Sequence, residues 1–75
     1  MKLNPSCDFK SFMNTVSQCC DDVFFETAEG DVLNLKSELC RYVFAVVVSK
    51  PHLLEHGTLR CKNAADVILL KEYLL

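Results

Sequence analysis

The sequence predicts a single α+β domain with the element order β-α-β-β-α-β-α. Three observations lead there. Residues 23–35 form two β-rich stretches around a glycine-containing turn, which reads as a hairpin. Apolar residues at helical spacing lie on either side of that hairpin, each set behind a capping residue. A further short β-rich stretch then precedes a last capped helix. In that order, three helices cover one face of a four-stranded, mostly antiparallel sheet and leave the other face to solvent.

Each element has its own signal. Met1 to Leu3 is long enough only for a short edge strand. Asn4-Pro5 reads as a helix start, with Asn as N-cap and Pro at the first helical position. Phe9, Phe12, Met13 and Val16 follow helical spacing, Cys19 or Cys20 extends the stripe, and the helix is expected to end near Cys20. Val23 to Thr27 is rich in β-formers, Ala28-Glu29-Gly30-Asp31 is a turn, and Val32 to Leu35 is the return strand.

Ser37 can cap the second helix, whose expected buried face is Leu39, Val43, Val46 and Val47. Its β-branched valines favour a strand, but the spacing begins cleanly at a cap, so helix is expected up to Phe44 or Val47. Lys50-Pro51 closes it, and His52 to Gly57 is a loop or a short helical turn. Thr58 to Lys62 reads as a strand. Asn63 caps the last helix with Asp66 in a capping-box position, and Ala64, Val67, Ile68, Leu70 and Leu74 are expected on its buried side.

Composition narrows the function. A chain of 75 residues makes one domain, residues 1–75, and buries only about 60–65% of its unfolded surface, which argues against a deep enclosed active site. The net charge of −2 and scattered basic residues give no electrostatic reason for nucleic-acid binding. The longest apolar run, Tyr42 to Val48, is far short of a membrane span. Residues 1–5 carry no apolar signal region, so the expectation is a cytoplasmic protein. Cys7, Cys19, Cys20, Cys40 and Cys61 are then expected as reduced thiols. Their number is odd, no Cys-x-x-Cys pair occurs and no zinc spacing appears, so neither a metal nor another cofactor is expected.

One stretch carries a resemblance to a family. Gly30-Asp31-Val32-Leu33-Asn34-Leu35-Lys36-Ser37 resembles the hairpin turn, third strand and regulatory-serine segment of the histidine-containing phosphocarrier (HPr) family. Asn-Leu-Lys-Ser before a helix is its most specific part. Asp22-Val23-Phe24-Phe25 upstream and the Asn63-Ala64-Ala65-Asp66 helix downstream fit the same frame. The resemblance implies an open-faced β-sandwich fold. It also implies that Ser37 is a phosphorylation site, since the matching serine is modified by a dedicated kinase that tunes partner binding. A phosphate there would meet a helix N-terminus, although serine is also a common cap with no further role. Partners implied by the resemblance are HPr kinase or a transcriptional regulator. Leu39 and Tyr42 are the expected docking contacts, with Glu38 where the family usually has an apolar residue.

The chain departs from the family at its catalytic junction. The family carries Gly-x-His-Ala-Arg-Pro, whereas this chain reads Lys2-Leu3-Asn4-Pro5-Ser6-Cys7-Asp8. Pro5 or Asn4 falls at the histidine, depending on alignment, and Cys7 or Ser6 replaces the arginine. Phosphoryl relay needs an imidazole nitrogen as reversible nucleophile, which neither residue supplies. Cys7, near a helix start that favours thiolate, is the remaining nucleophile to weigh.

Two other patterns stand out in the sequence. His52-Leu53-Leu54-Glu55-His56 matches the His-x-x-Glu-His signature of inverted zinc peptidases. Pro51 and Gly57 bracket it too tightly for a long helix, so the expected reading is unconnected loop histidines, with an enzyme or metal protein on His52, Glu55 and His56 as the lowest-ranked reading. Period two sends Phe24 and Val32 to the outer face of the hairpin, where they are either two scattered exposed hydrophobes or a contact surface for a homodimer or a protein partner. The function expected from the whole is a non-catalytic, HPr-like regulatory binding module of the phosphotransferase-system type. The alternative is the same fold with an unrelated binding role.

Overall fold

Phe25 and Phe44 set the centre of the molecule, with ring centroids 5.2 Å apart in an edge-on arrangement. Around them, a computed structural model describes residues 1–75 as an α+β fold. In chain order the elements are α1 (Phe9–Gln18), β1 (Val23–Glu26), β2 (Val32–Asn34), α2 (Glu38–Val48), α3 (Pro51–His56), β3 (Thr58–Cys61) and α4 (Ala64–Leu70). A 3-10 turn over Lys71–Tyr73 follows α4.

The expected hairpin forms, with β1 between β2 and β3 in an antiparallel sheet ordered β2-β1-β3. Phe25 stands opposite Leu33 on one side and Leu59 on the other. Alternation buries Val23 and Phe25 against the helices and turns Phe24 and Glu26 outward. Gly30 closes the hairpin turn at φ +95, a left-handed conformation that glycine adopts without a Cβ clash. The Thr27 carbonyl accepts from the Gly30 N–H at 3.0 Å, and Thr27 Oγ1 accepts from the Asp31 N–H at 3.1 Å.

One apolar cluster joins sheet and helices. Phe12 and Val16 of α1, Phe44 and Val47 of α2, Leu54 of α3 and Leu70 of α4 pack with Val23, Phe25 and Leu59. Phe44 also meets Phe9 and Phe12, and Phe12 meets Tyr73 edge-on at 5.7 Å.

The N-terminal segment differs from expectation in form. Leu3 makes an isolated antiparallel bridge to Leu74. Met1 exchanges two hydrogen bonds with Leu59, accepting at 2.7 Å and donating from its amino group at 3.2 Å. Asn4 and Pro5 do not start the helix. The Asn4 N–H donates to the Tyr73 carbonyl, and the Asn4 side chain accepts from the Ser6 N–H at 2.9 Å. Asn4-Pro5-Ser6-Cys7 is therefore a turn, and Asp8 is the cap, accepting from the N–H groups of Lys10 and Ser11.

Three further expectations are corrected. The buried side of α2 is Phe44 and Val47, whereas Leu39, Val43 and Val46 are exposed. Seven consecutive apolar residues from Tyr42 to Val48 leave the stripe ambiguous, and the Phe44 ring, the largest among them able to fill the centre, decides it. Residues 51–56 form α3, with Pro51 in its first turn, so four α-helices replace the expected three. In α4, Ala64 and Ile68 face solvent, while Leu70 and Asp66 are the buried residues. No helix is long and apolar enough to cross a membrane.

Candidate functional site

The β2–α2 junction is built from local hydrogen bonds. The Asn34 side chain accepts from the Lys36 N–H at 3.1 Å, and the Asn34 carbonyl accepts from the Ser37 N–H at 2.9 Å. Ser37 is the N-cap of α2, as the sequence suggests, but its side chain makes no capping bond. Its half-buried hydroxyl is left free by the helix, while Glu38 supplies the charge that suits the first turn.

From this cap an apolar stripe runs along the solvent side of α2. Leu39 is 74% exposed, Tyr42 68%, Val43 44% and Val46 57%. Their spacing places all four on one helical face. Two cations beside the stripe are turned inward to α1. Arg41 donates to the Met13 carbonyl at 3.0 Å, and Lys36 donates to the Cys19 carbonyl. These bonds fix the helix, and with it the stripe, against α1. Lys36, Glu38, Arg41 and Tyr42 line a shallow depression of about 400 Å³ beside Ser37.

The junction at residues 4–8 has no imidazole, and Asn4 and Pro5 are both held in the turn. Cys7 is half-buried there, and burial, with a further push from the Asp8 carboxylate, raises its thiol pKa. Burial and the Asp8 carboxylate thus oppose the helix-start effect that would favour thiolate at Cys7.

On the outer sheet face, Phe24 and Val32 both point outward but are not opposite one another. Phe24 pairs with Asn34 and Arg60, and Val32 with Glu26. The Arg60 guanidinium lies over the Phe24 ring at 5.1 Å and binds Glu26 at 2.6 Å. This face is therefore largely polar, with Val32 exposed near the hairpin turn.

His52, Glu55 and His56 all lie exposed on α3. No three His, Cys, Asp or Glu side chains anywhere in the chain are grouped closely enough to hold a metal ion.

Asp66 does not take the capping-box role its spacing predicts. Its fully buried carboxylate does not return to Asn63 but accepts from the backbone N–H groups of Cys20 and Asp21, at 2.9 and 3.0 Å. It also lies close enough to Cys19 and Cys61 to raise both thiol pKa values, an effect second to burial at each. The only sequence signal for this role is a lone carboxylate inside the apolar run Ala64 to Leu70.

Comparison with models of protein families, with curated proteins and with solved structures finds no match.

Proposed function

We propose that this chain is a non-catalytic, HPr-like binding module of the phosphotransferase-system type. It docks a protein partner on the exposed face of α2, under the control of phosphorylation at Ser37. The observation that carries this reading is the Leu39–Tyr42–Val43–Val46 stripe, exposed and continuous from the serine cap. Contiguous apolar residues on a rigid, solvent-facing helix are a contact surface. A phosphoryl group on Ser37 would sit at one end of that surface, near the free N–H groups of the first turn, and add charge where a partner's edge must seat.

In this reading the N-terminal segment acts as a fourth strand beside β3. The paired hydrogen bonds between Met1 and Leu59 support that, as does the bridge from Leu3 to Leu74. The scaffold is then a four-stranded open-faced sandwich. The turn at Asn4-Pro5 stands where the family's imidazole would be, so phosphoryl relay is not the role.

Two incubations test the proposal. With HPr serine kinase and ATP, phosphate is expected on Ser37 and is lost in Ser37→Ala. With the energy-coupling enzyme and phosphoenolpyruvate, no transfer is expected. Transfer from phosphoenolpyruvate, or an unmodified Ser37, overturns it. A second reading, the same scaffold with an unrelated binding role, is favoured by one observation. Lys36 and Arg41, the cations nearest Ser37, are bonded to carbonyls of Cys19 and Met13 instead of facing the hydroxyl. Docking without kinase modification that is lost in Leu39→Asp with Tyr42→Asp selects this second reading.

A further inference from the structure

A second surface, meeting the α2 stripe only at Val43, lies at the opposite edge of the sheet from the N-terminal segment. β2 is an outer strand of only three residues. Thr27 donates to Asp31 and Leu35 to Val23, at 2.9 and 2.7 Å. In an antiparallel ladder every second residue exchanges such bonds, so Leu33 pairs inward with Phe25, while Val32 and Asn34 turn their backbone groups away from β1. The Asn34 carbonyl is taken by Ser37. The Val32 N–H, the Val32 carbonyl and the Asn34 N–H remain at the free edge.

Beside this edge runs a groove of about 380 Å³, at the small end of the roughly 300–1,000 Å³ typical of ligand pockets. Leu33, with Val32 at the strand edge, lines one side, Val43, Val47 and Leu53 the other, and Glu29 and Asp31 stand at the rim. The chain's single ion pair joins Arg60 to Glu26, so neither rim carboxylate has a cation of its own.

We propose that this edge accepts an extended segment of a partner protein as an added antiparallel or parallel strand. An apolar side chain of that segment seats between β2 and α2, and an adjacent Lys or Arg meets Glu29 and Asp31. Strand addition uses main-chain hydrogen bonds for affinity and alternate side-chain pockets for specificity. Here both parts are present: three free backbone groups on β2 and an apolar groove with an acidic rim. Pairing β2 with β2 of a second copy offers the rim no free cation from its neighbourhood, since Lys36 is engaged with the Cys19 carbonyl. The inference does not depend on Ser37 modification, and the groove shares only Val43 with the α2 stripe.

The test is an NMR titration of the full chain with acetyl-Lys-Val-Thr-Val-Lys-amide. The largest amide shifts are expected at Val32 and Asn34, with methyl shifts at Val43 and Leu53. Replacing both peptide lysines with glutamate is expected to weaken binding roughly fivefold, in line with exposed ion pairs. Glu29→Lys with Asp31→Lys, both exposed positions that leave the core intact, is expected to reverse that preference. A peptide N-methylated on alternate amides is expected not to bind. Equal binding of the two peptides overturns the proposal, as do shifts confined to Leu39, Tyr42 and Val46. Concentration-dependent shifts at Val32 and Asn34 without peptide assign the edge to a second copy and also overturn it.

Discussion

The Asp66 carboxylate and the Cys20 backbone N–H meet at 2.9 Å, joining α4 to the end of α1. The second carboxylate oxygen takes the Asp21 N–H at 3.0 Å, so one buried side chain satisfies two otherwise free donors. Asp66→Ala leaves both unpaired and is expected to cost about 2–4 kcal/mol, read as a lower urea midpoint. Asp66→Asn keeps one acceptor but directs an amide donor at a backbone donor, so it too is expected to destabilise.

Gly57 gives a steric prediction. A Cβ there would lie 2.0 Å from Phe25 Cζ, inside the ring's own volume. Gly57→Ala is expected to destabilise by about 1–3 kcal/mol, the range for overpacked cores. Thermal melts of the single mutant and of Gly57→Ala with Phe25→Leu check the cause, since the smaller side chain should recover part of the loss.

The thiols are expected to differ sharply in reactivity. Cys20 is exposed, whereas Cys19 is buried, and burial aided by the Asp66 carboxylate lifts its pKa from 9.0 to about 11. Mass spectrometry of a timed alkylation at neutral pH should show Cys20 modified first and Cys19 last. The same shift sets an alkaline limit. Between pH 9 and 11 the unfolded chain has lost the Cys19 proton while the folded chain keeps it, so stability falls as pH rises through that window. Below pH 9 both states hold the proton and the contribution vanishes. Cys19→Ala should flatten this limb in denaturant titrations.

At the acid end Asp8 acts in the opposite sense. The Ser11 hydroxyl, with the Ser11 and Lys10 N–H groups, holds the Asp8 carboxyl below its ordinary value of 3.8. Its contribution is present above the unfolded carboxyl pKa and is lost as pH falls through the folded one. Helicity followed by circular dichroism should fray at higher pH in Ser11→Ala than in the parent.

Homodimerisation through the outer sheet face would bring Phe24 and Val32 of two copies together. Phe24 lies under Arg60, within a polar surround of Glu26 and Asn34. Sedimentation of the parent and of Phe24→Asp is expected to give a monomer in both. A parent dimer that Phe24→Asp dissolves would make this face an interface.

How much was legible in the sequence depended on how far away each deciding contact lies. The hairpin was legible because its turn and alternation are local, and Gly30 sits at the one positive φ in the chain. The buried side of α2 was not, because residues 42–48 are apolar all round and only the Phe44–Phe25 contact selects a face. Asn4-Pro5 has the local pattern of a helix start. The hydrogen bond from Asn4 to Tyr73, far along the chain, makes it a turn. Asp66 has the spacing of a capping box, but its true partners are near α1. Leu39, expected on the buried face of α2, is exposed, and the groove along β2 joins three elements and has no local motif.

The pairing of Leu3 with Leu74 also has a temporal consequence. During synthesis Leu3 leaves the ribosome long before its partner, Leu74. Until then the N-terminal segment is held only through Leu59 and Gly57, and closure onto Leu74 spans a long loop at high entropic cost. Closure of this segment is therefore expected late, and a ribosome-stalled fragment ending before Tyr73 should remain protease-sensitive at Met1 to Asn4.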